Sequence, residues 1–462
     1  MSVLDALTKN LVETRYDALP ADVVEATKKQ VLDMLGVMVA GSTCNTADEM
    51  NGLVSLIKEW GGKEDSTIIA FGGRVPAPNA AFVNGIFCVR RDFDDTNLKY
   101  GSLHASRAIV PTAFAMAERQ GNITGKELIT AAALGHDLEC RIAAAAPGPG
   151  SWYMIATFFG AAATAGKILG LSHEKMRSAL ALALHQISGA SGGGGSAGLG
   201  SIKGMSNGLA TRAGITSALL AEKGFKVDWD FLEPGNRSNF YEVFYGHSYS
   251  PVLLTSDLGK VFMGSNTSQK AFPCCHGQHT SLKATLSLLK EHKIKPGNVA
   301  EVTLHLSAGN YSLLADPVEK KQDPQDIIQA QFSLCWGVAS AIVYGEVGIR
   351  NFTEEALQDS RVREMARKVF GKPEMELSRQ PMALPVIVEI RTREGKVYAQ
   401  RVDYPFGSPE DPMSFGDIAA KFRNCCQYSV KPIPEANQDK VMQMVKELEK
   451  VRDVSQVIHL LA

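Results

Sequence analysis

Between Ala21 and about residue 260 the apolar residues recur with the period of a helix, and after about residue 268 the period shortens to that of a strand. That one switch limits the chain to folds in which a large helical body is joined to a smaller part carrying a sheet. In Ala21–Ala40, the residues Val24, Val31, Leu32, Leu35 and Met38 share one face at spacings of three, four and seven, while Glu25, Lys28 and Lys29 fall elsewhere. This predicts an amphipathic helix. Thr124-Gly125-Lys126-Glu127 reads as a capping box, since the Thr hydroxyl can accept from the backbone three residues on while Glu127 reaches back, and a helix to about Ala146 follows. The runs Thr157–Leu169, Ser172–Ser188 and Gly208–Gly224 are rich in Ala, Leu and small residues, so these helices can approach closely around a shared core.

Val302, Leu304 and Leu306 alternate with Glu301, Thr303 and His305, which predicts a strand. Val386, Val388 and Ile390, then Glu394-Gly395, then Val397, Ala399 and Val402 predict a hairpin. Helices are expected over Gln331–Val347, over Gln269–Lys293 after its Pro-containing start, and again from about Met413 to the end. The predicted fold class is mainly α with an α+β second domain. A large all-α helical domain is built from both chain ends, residues 1–265 and 406–462, with a smaller α+β lid domain, residues 266–405, inserted between them.

Charge narrows the choice of partner. Lys and Arg number 48 against 49 Asp and Glu, a net charge of −1, and the basic residues are scattered among acids. A nucleic-acid partner, which would call for a basic surplus or stripe, is therefore not expected. With 45% hydrophobic and 21% charged residues the chain has the means to bury a large core. The N-terminus lacks a basic segment followed by an apolar run, and no stretch reaches the roughly 18 uninterrupted apolar residues of a membrane span. The expectation is a soluble cytoplasmic protein with no membrane partner. Its eight cysteines follow no regular spacing and include the adjacent pairs Cys274-Cys275 and Cys425-Cys426, so they read as reduced thiols.

Several glycine motifs fail on context. Gly189-Ala190-Ser191-Gly192-Gly193 has the letters of a nucleophile elbow but follows a helix where that device needs a strand. Gly198-Leu199-Gly200 lacks the strand and spacing of a dinucleotide fingerprint, and Gly166-Lys167 is followed by Ile168 where a P-loop needs Ser or Thr. The Gly192–Gly200 run reads either as plain loop or as a mobile cover ahead of Lys203.

Asp92-Phe93-Asp94-Asp95-Thr96 packs three carboxylates and a hydroxyl into five residues, after Arg90-Arg91 and ahead of His104. The bland reading is a solvated helix end, and a magnesium site is set aside because helical spacing would splay the carboxylates. The sharper reading is an acid/base or substrate-orienting cluster, since a carboxylate beside a histidine fixes its tautomer and raises its pKa. Lys203 and Lys270 are either solvated surface groups or anchors for substrate carboxylates. In Lys270–His279, adjacent cysteines point apart and the spacing matches no common zinc finger, so metal is not expected; His276 or His279 could be an acid/base or a satisfied structural histidine.

These residues, taken with His104-Ala105-Ser106, the Gly135–Arg141 stretch, Phe159-Gly160-Ala161-Ala162 running to Leu169-Gly170-Leu171, Lys203 with Gly208 and Ala210, the Lys270–His279 segment and Gln331-Phe332-Ser333-Leu334, resemble the MmgE/PrpD family in order along nearly the whole chain. The resemblance implies a helical bundle with an α+β lid, a homodimer, an active site in the cleft between domains, and no metal or organic cofactor. It also implies chemistry at the carbon α to a carboxylate of a small di- or tricarboxylic acid, as in 2-methylcitrate dehydration, cis-aconitate decarboxylation and iminodisuccinate epimerisation. Carried over by position, Asp92, Thr96 and His104 match the family's first active-site segment, Lys203 its central lysine, and Lys270 with Cys275 or His276 the segment from the second domain.

Two departures bear on the reaction. The family's Gly-aromatic-His segment reads Gly150-Ser151-Trp152-Tyr153 here, with Tyr153 a stand-in proton donor, and Cys275 occupies a position where the decarboxylases carry histidine. Both weaken decarboxylation and 2-methylcitrate dehydration as the specific reaction and leave another hydro-lyase, or an isomerase or epimerase, open; the expectation is a dehydratase-type lyase, with isomerase, epimerase, decarboxylase or a non-catalytic carboxylate binder as alternatives. The expected catalytic set is His104, Asp92, Tyr153, Lys203 and His276, with His104 oriented by Asp92 or Asp95. Thr96, Arg91, Lys270, Cys275 and His279 are expected to bind substrate.

Overall fold

The computed structural model describes residues 2–43, 47–100, 103–146, 153–187, 202, 204–236, 238–246, 249–379 and 384–462, with the side chains of Ala47, Tyr153 and Met154 outside that description. The first predicted helix spans Ala21–Gly41; it is amphipathic only at its start, and from Gln30 onward every residue is buried. A helix buried all round belongs inside a helical body. The helix Gly125–Ala145 begins on the expected capping box, with the Thr124 N–H donating to Glu127 Oε2 at 2.8 Å. The small-residue runs form helices Tyr153–Ile168, His173–Leu184 and Met205–Glu222, and these pack on one another. A Cβ on Gly214 would lie 2.5 Å from that of Ala161, so glycine is what lets two of these helices meet.

Buried apolar side chains gather into two principal clusters. The larger draws on residues between Leu4 and Met263 and again between Met413 and Leu461, with Ile349. The smaller runs from Cys274 to Val402. The helix Phe415–Cys426 returns the chain to the first cluster by packing on Ala21–Gly41.

In the second cluster the strand Val299–Leu306 buries Val302, Leu304 and Leu306, as its alternation predicts. It pairs antiparallel with Val386–Thr392, which pairs antiparallel with Val397–Val402 across a turn with Gly395 at φ 81°. The fourth strand, Val369–Pro373, pairs parallel with Val299–Leu306 and was not expected. Its Gly371 and Pro373 argue against a strand in sequence, and its edge position is what tolerates them. Helices His279–His292 and Leu334–Tyr344 pack on one another, and the first of them also lies against the sheet. Among the described residues no helix is long and apolar enough to cross a membrane.

The helix Ala77–Arg90 delivers the acidic segment. A Cβ on Gly41 would fall 2.0 Å from the carbonyl oxygen of Phe87, so only glycine allows the Ala21–Gly41 helix this close. Beyond Arg90 the backbone leaves helical geometry, with Asp92 left-handed at φ 51°. Thr96 then bridges Ser268, exchanging N–H···O bonds of 2.9 and 2.8 Å, and the helix Ser106–Gln120 starts soon after. Residues 91–96 thus lie against the chain segment that leads into the second cluster.

Candidate active site

The acidic segment is neither helical nor solvated. Asp92, Asp94 and Asp95 are all buried, at 5%, 1% and 0% exposure, which corrects the reading of this segment as a solvated helix end. Because the backbone turns at Asp92, the three carboxyls take three different partners. Asp92 faces Lys270, whose ammonium donates to the Asp92 carbonyl at 2.9 Å and to its carboxylate at 3.2 Å. Asp94 places Oδ2 3.0 Å from His104 Nδ1 and 3.6 Å from Arg107, with Lys270 4.0 Å from its other oxygen. Asp95 accepts from the Ser106 N–H at 3.2 Å and from the Ser106 hydroxyl.

His104 Nδ1 also lies 2.7 Å from the carbonyl oxygen of Asp95. A carbonyl and a carboxylate can only accept, so Nδ1 carries the hydrogen and the lone pair of the neutral ring sits on Nε2. The orienting groups are therefore the Asp94 carboxylate and the Asp95 main chain, where the sequence pointed to Asp92 or Asp95. Its side chain is 18% exposed while those of Asp94 and Lys270 are each 1% exposed, so the imidazole is the most exposed of the three.

Burial and charge set the protonation states. Burial opposes ionisation of Asp94, but His104, Lys270 and Arg107 outweigh it and hold its carboxyl well below the usual range. Burial depresses Lys270 as well, yet Asp92 and Asp94 more than compensate and the ammonium is held above its ordinary value. Asp95 is pushed up to about 7, by burial first and by the charges of Asp33 and Asp94 after it. His104 is lowered, mainly by burial and further by Arg107, against the pull of Asp94. An imidazole that is neutral at physiological pH, with a fixed tautomer and a buried carboxylate behind it, can take a proton from carbon at Nε2 and, as the imidazolium so formed, give one back.

The other predicted residues divide. His276, 6% exposed, feels the charges of Lys270, His104 and Asp92, and neither ring nitrogen has a hydrogen-bond partner among the described residues. His279 is fully buried beneath it, the rings 4.9 Å apart, with Nε2 3.4 Å from the Cys274 carbonyl. Cys275 is half-buried and its N–H donates to the Gln331 carbonyl at 2.9 Å. Thr96 buries a hydroxyl with no partner among the described residues.

Arg91 is not brought into the cluster. Its guanidinium donates to the Ala40 carbonyl and the Thr43 hydroxyl, each at 2.9 Å, and lies over the Tyr428 ring, so it ties down a helix end. Lys203, the Gly192–Gly200 run and the Tyr153 side chain lie outside the described residues. Sequence reasoning missed Asp94 as the orienting carboxylate, Arg107 behind it, and Gln331, whose amide donates to the Arg91 carbonyl at 3.0 Å. A surface cavity of about 490 Å³ lined by Asp5, Lys9, Val12, Glu13 and His173 lies at the N-terminal helix and includes none of these residues.

The buried imidazoles carry a pH signature. His276 and His136 are pushed down to about 3, both by burial and the first also by Lys270. A histidine depressed in the folded state takes up its proton on unfolding, so its share of stability is complete above about 6.5 and is lost as pH falls toward 3. The raised carboxyls of Asp33, Asp95 and Glu139 act with the opposite sign, and comparison with a variant cancels them. Between pH 6 and pH 5 the wild type is expected to lose roughly 1 kcal/mol more than His136→Asn in urea unfolding. Equal losses would mean that His136 titrates normally in the folded protein.

Comparison with known proteins gives matches along most of the chain. The MmgE/PrpD N-terminal domain matches residues 5–251 and the MmgE/PrpD C-terminal domain matches residues 272–448. Lys270 falls between the two. A cis-aconitate decarboxylase of Aspergillus terreus is 25% identical, covering 96% of this chain and 93% of its own. The Homo sapiens cis-aconitate decarboxylase is 26% identical over 95% of this chain and 90% of its own, and a cis-aconitate decarboxylase-like protein of Aspergillus oryzae is 23% identical over 98% and 95%.

Proposed function

Since the chain belongs to the MmgE/PrpD family, we propose that it is a cytoplasmic, homodimeric, cofactor-independent lyase acting at the carbon α to a carboxylate of a small di- or tricarboxylic acid. The observation that carries this reading is the buried Asp94–His104 pair beside Lys270, with the imidazole as its accessible member. Lys270 has three N–H donors, two of them directed at Asp92, and the third serves a substrate carboxylate. Lys203 is proposed as the second anchor. Charge that builds on that carboxylate as a Cα bond breaks is stabilised by a cation already in place. His104 Nε2 takes or delivers the Cα proton, the imidazolium is stabilised by Asp94, and His276 or Tyr153 acts on the opposite face or on the departing hydroxyl.

Elimination of water is the first reading, favoured by Cys275 standing where the decarboxylases carry histidine. Decarboxylation is the second, favoured by full-length relatives named cis-aconitate decarboxylase. Proton NMR of the purified protein with citrate, 2-methylcitrate and cis-aconitate distinguishes them. A hydroxy acid converted to its unsaturated product supports the first, loss of CO₂ supports the second, and no change with any of the three acids, or with related di- and tricarboxylates, would count against both.

A further inference from the structure

We propose that Lys421, held by Asp33, is a positioning residue that fixes the backbone of the acidic segment and so aims Asp94 and the Asp95 carbonyl at His104. The inference deepens the proposed function and rests on it for its catalytic meaning. Lys421 lies on the helix Phe415–Cys426, and Asp33 on Ala21–Gly41. Both are buried, at 8% and 1% exposure, and they pair at 2.6 Å. The ammonium also donates to the Phe93 carbonyl at 2.9 Å and sits 3.8 Å from the centre of the Phe93 ring. Two of these three contacts fall on Phe93, the residue between Asp92 and Asp94.

The need for such a hold follows from the backbone. Buried carbonyls outside regular structure must find donors elsewhere. Here three in succession, those of Arg91, Asp92 and Phe93, accept from the side chains of Gln331, Lys270 and Lys421 at 3.0, 2.9 and 2.9 Å. The path of the segment past the left-handed Asp92 is thus set by three side chains from distant parts of the chain. Gln331 and Lys270 also bond or pair with other groups of the site. Among the described residues the hydrogen bonds and ion pairs of Lys421 are with Phe93 and Asp33, so its contact with the acidic segment is through the backbone it holds. A buried ion pair is a poor source of net stability, because well-packed apolar residues of similar size often do as well. Its placement on this carbonyl points to geometry as its use.

The test is Lys421→Met combined with Asp33→Leu, which removes both charges together and strands neither. Ring-¹⁵N histidine spectra report the tautomer and titration of His104, its signal identified by its disappearance in His104→Gln. In the double variant the His104 signal is expected to lose its fixed Nδ1–H character and its midpoint to move to lower pH as Asp94 withdraws, while the melting temperature stays near that of the wild type. On whichever acid the wild type converts, kcat is expected to fall about 10- to 100-fold with KM little changed, as for an ångström-scale misplacement. Should the apolar pair fail to fold, Lys421→Gln with Asp33→Asn retains a polar pair and is expected to give the same shift. A folded double variant of either kind with the wild-type His104 tautomer and midpoint overturns the proposal. Full turnover by His104→Gln would instead remove the proposed function and leave the spectroscopic result standing.

Discussion

His104→Gln is expected to lower kcat by about 10² to 10⁴, the usual range for losing a positioned acid or base. Glutamine can keep a donor toward the Asp95 carbonyl and the Asp94 carboxylate, which His104 Nδ1 contacts at 2.7 and 3.0 Å, so the fold is expected to survive. What it cannot supply is an ionisable nitrogen in place of Nε2. KM is expected to change little, because the charge that holds the substrate belongs to the lysines. The acid limb of kcat/KM in the wild type should fall below the ordinary imidazole range, since burial lowers His104 more than Asp94 raises it. That limb should be absent from the residual activity of the variant. Initial rates from pH 5 to 9 check both points, and a variant with wild-type kcat removes His104 from the chemistry.

Lys270→Met has the largest expected effect on stability. The ammonium is 1% exposed and pairs with Asp92 at 3.2 Å, with Asp94 4.0 Å away, so its removal leaves two buried carboxylates short of a counter-ion. Stranding a buried charge in this way typically costs about 3–5 kcal/mol. The sign with pH is fixed by Asp94, whose carboxyl is held low in part by Lys270. Without the lysine its pKa rises and protonation relieves the unpaired charge, so the loss should be larger at pH 8 than at pH 5. Urea unfolding at the two pH values measures it. A variant as stable as the wild type at both would mean that Asp92 and Asp94 are compensated by other groups.

Much of this is legible in the sequence alone, and the exceptions have physical causes. The capping box at Thr124, the alternation at Val302–Leu306 and the hairpin through Gly395 are local patterns, and local patterns survive into the fold. The strand Val369–Pro373 was hidden because its pairing partner, not its composition, makes it a strand. The acidic segment stood out in sequence as a cluster, but three aspartates within four residues look alike there. Their separation into a lysine partner, a histidine partner and a serine partner depends on the left-handed turn at Asp92, which no propensity announces.

Arg91 illustrates the converse. A cation beside three carboxylates reads as a substrate clamp, yet the approach of the Ala21–Gly41 helix end claims its guanidinium. Lys421 and Asp33 lie hundreds of residues apart and carry no motif, so only folding brings them to Phe93.

The central claim is that His104 moves a proton at the carbon α to a substrate carboxylate. The most direct test is turnover in D₂O, with the product examined by NMR for deuterium at that carbon. The account predicts a single solvent-derived deuterium there for reactions that deliver a proton, or exchange of the Cα proton for those that remove one, and either process about 10²- to 10⁴-fold slower with His104→Gln. Deuterium incorporation or exchange by His104→Gln at the wild-type rate would contradict it.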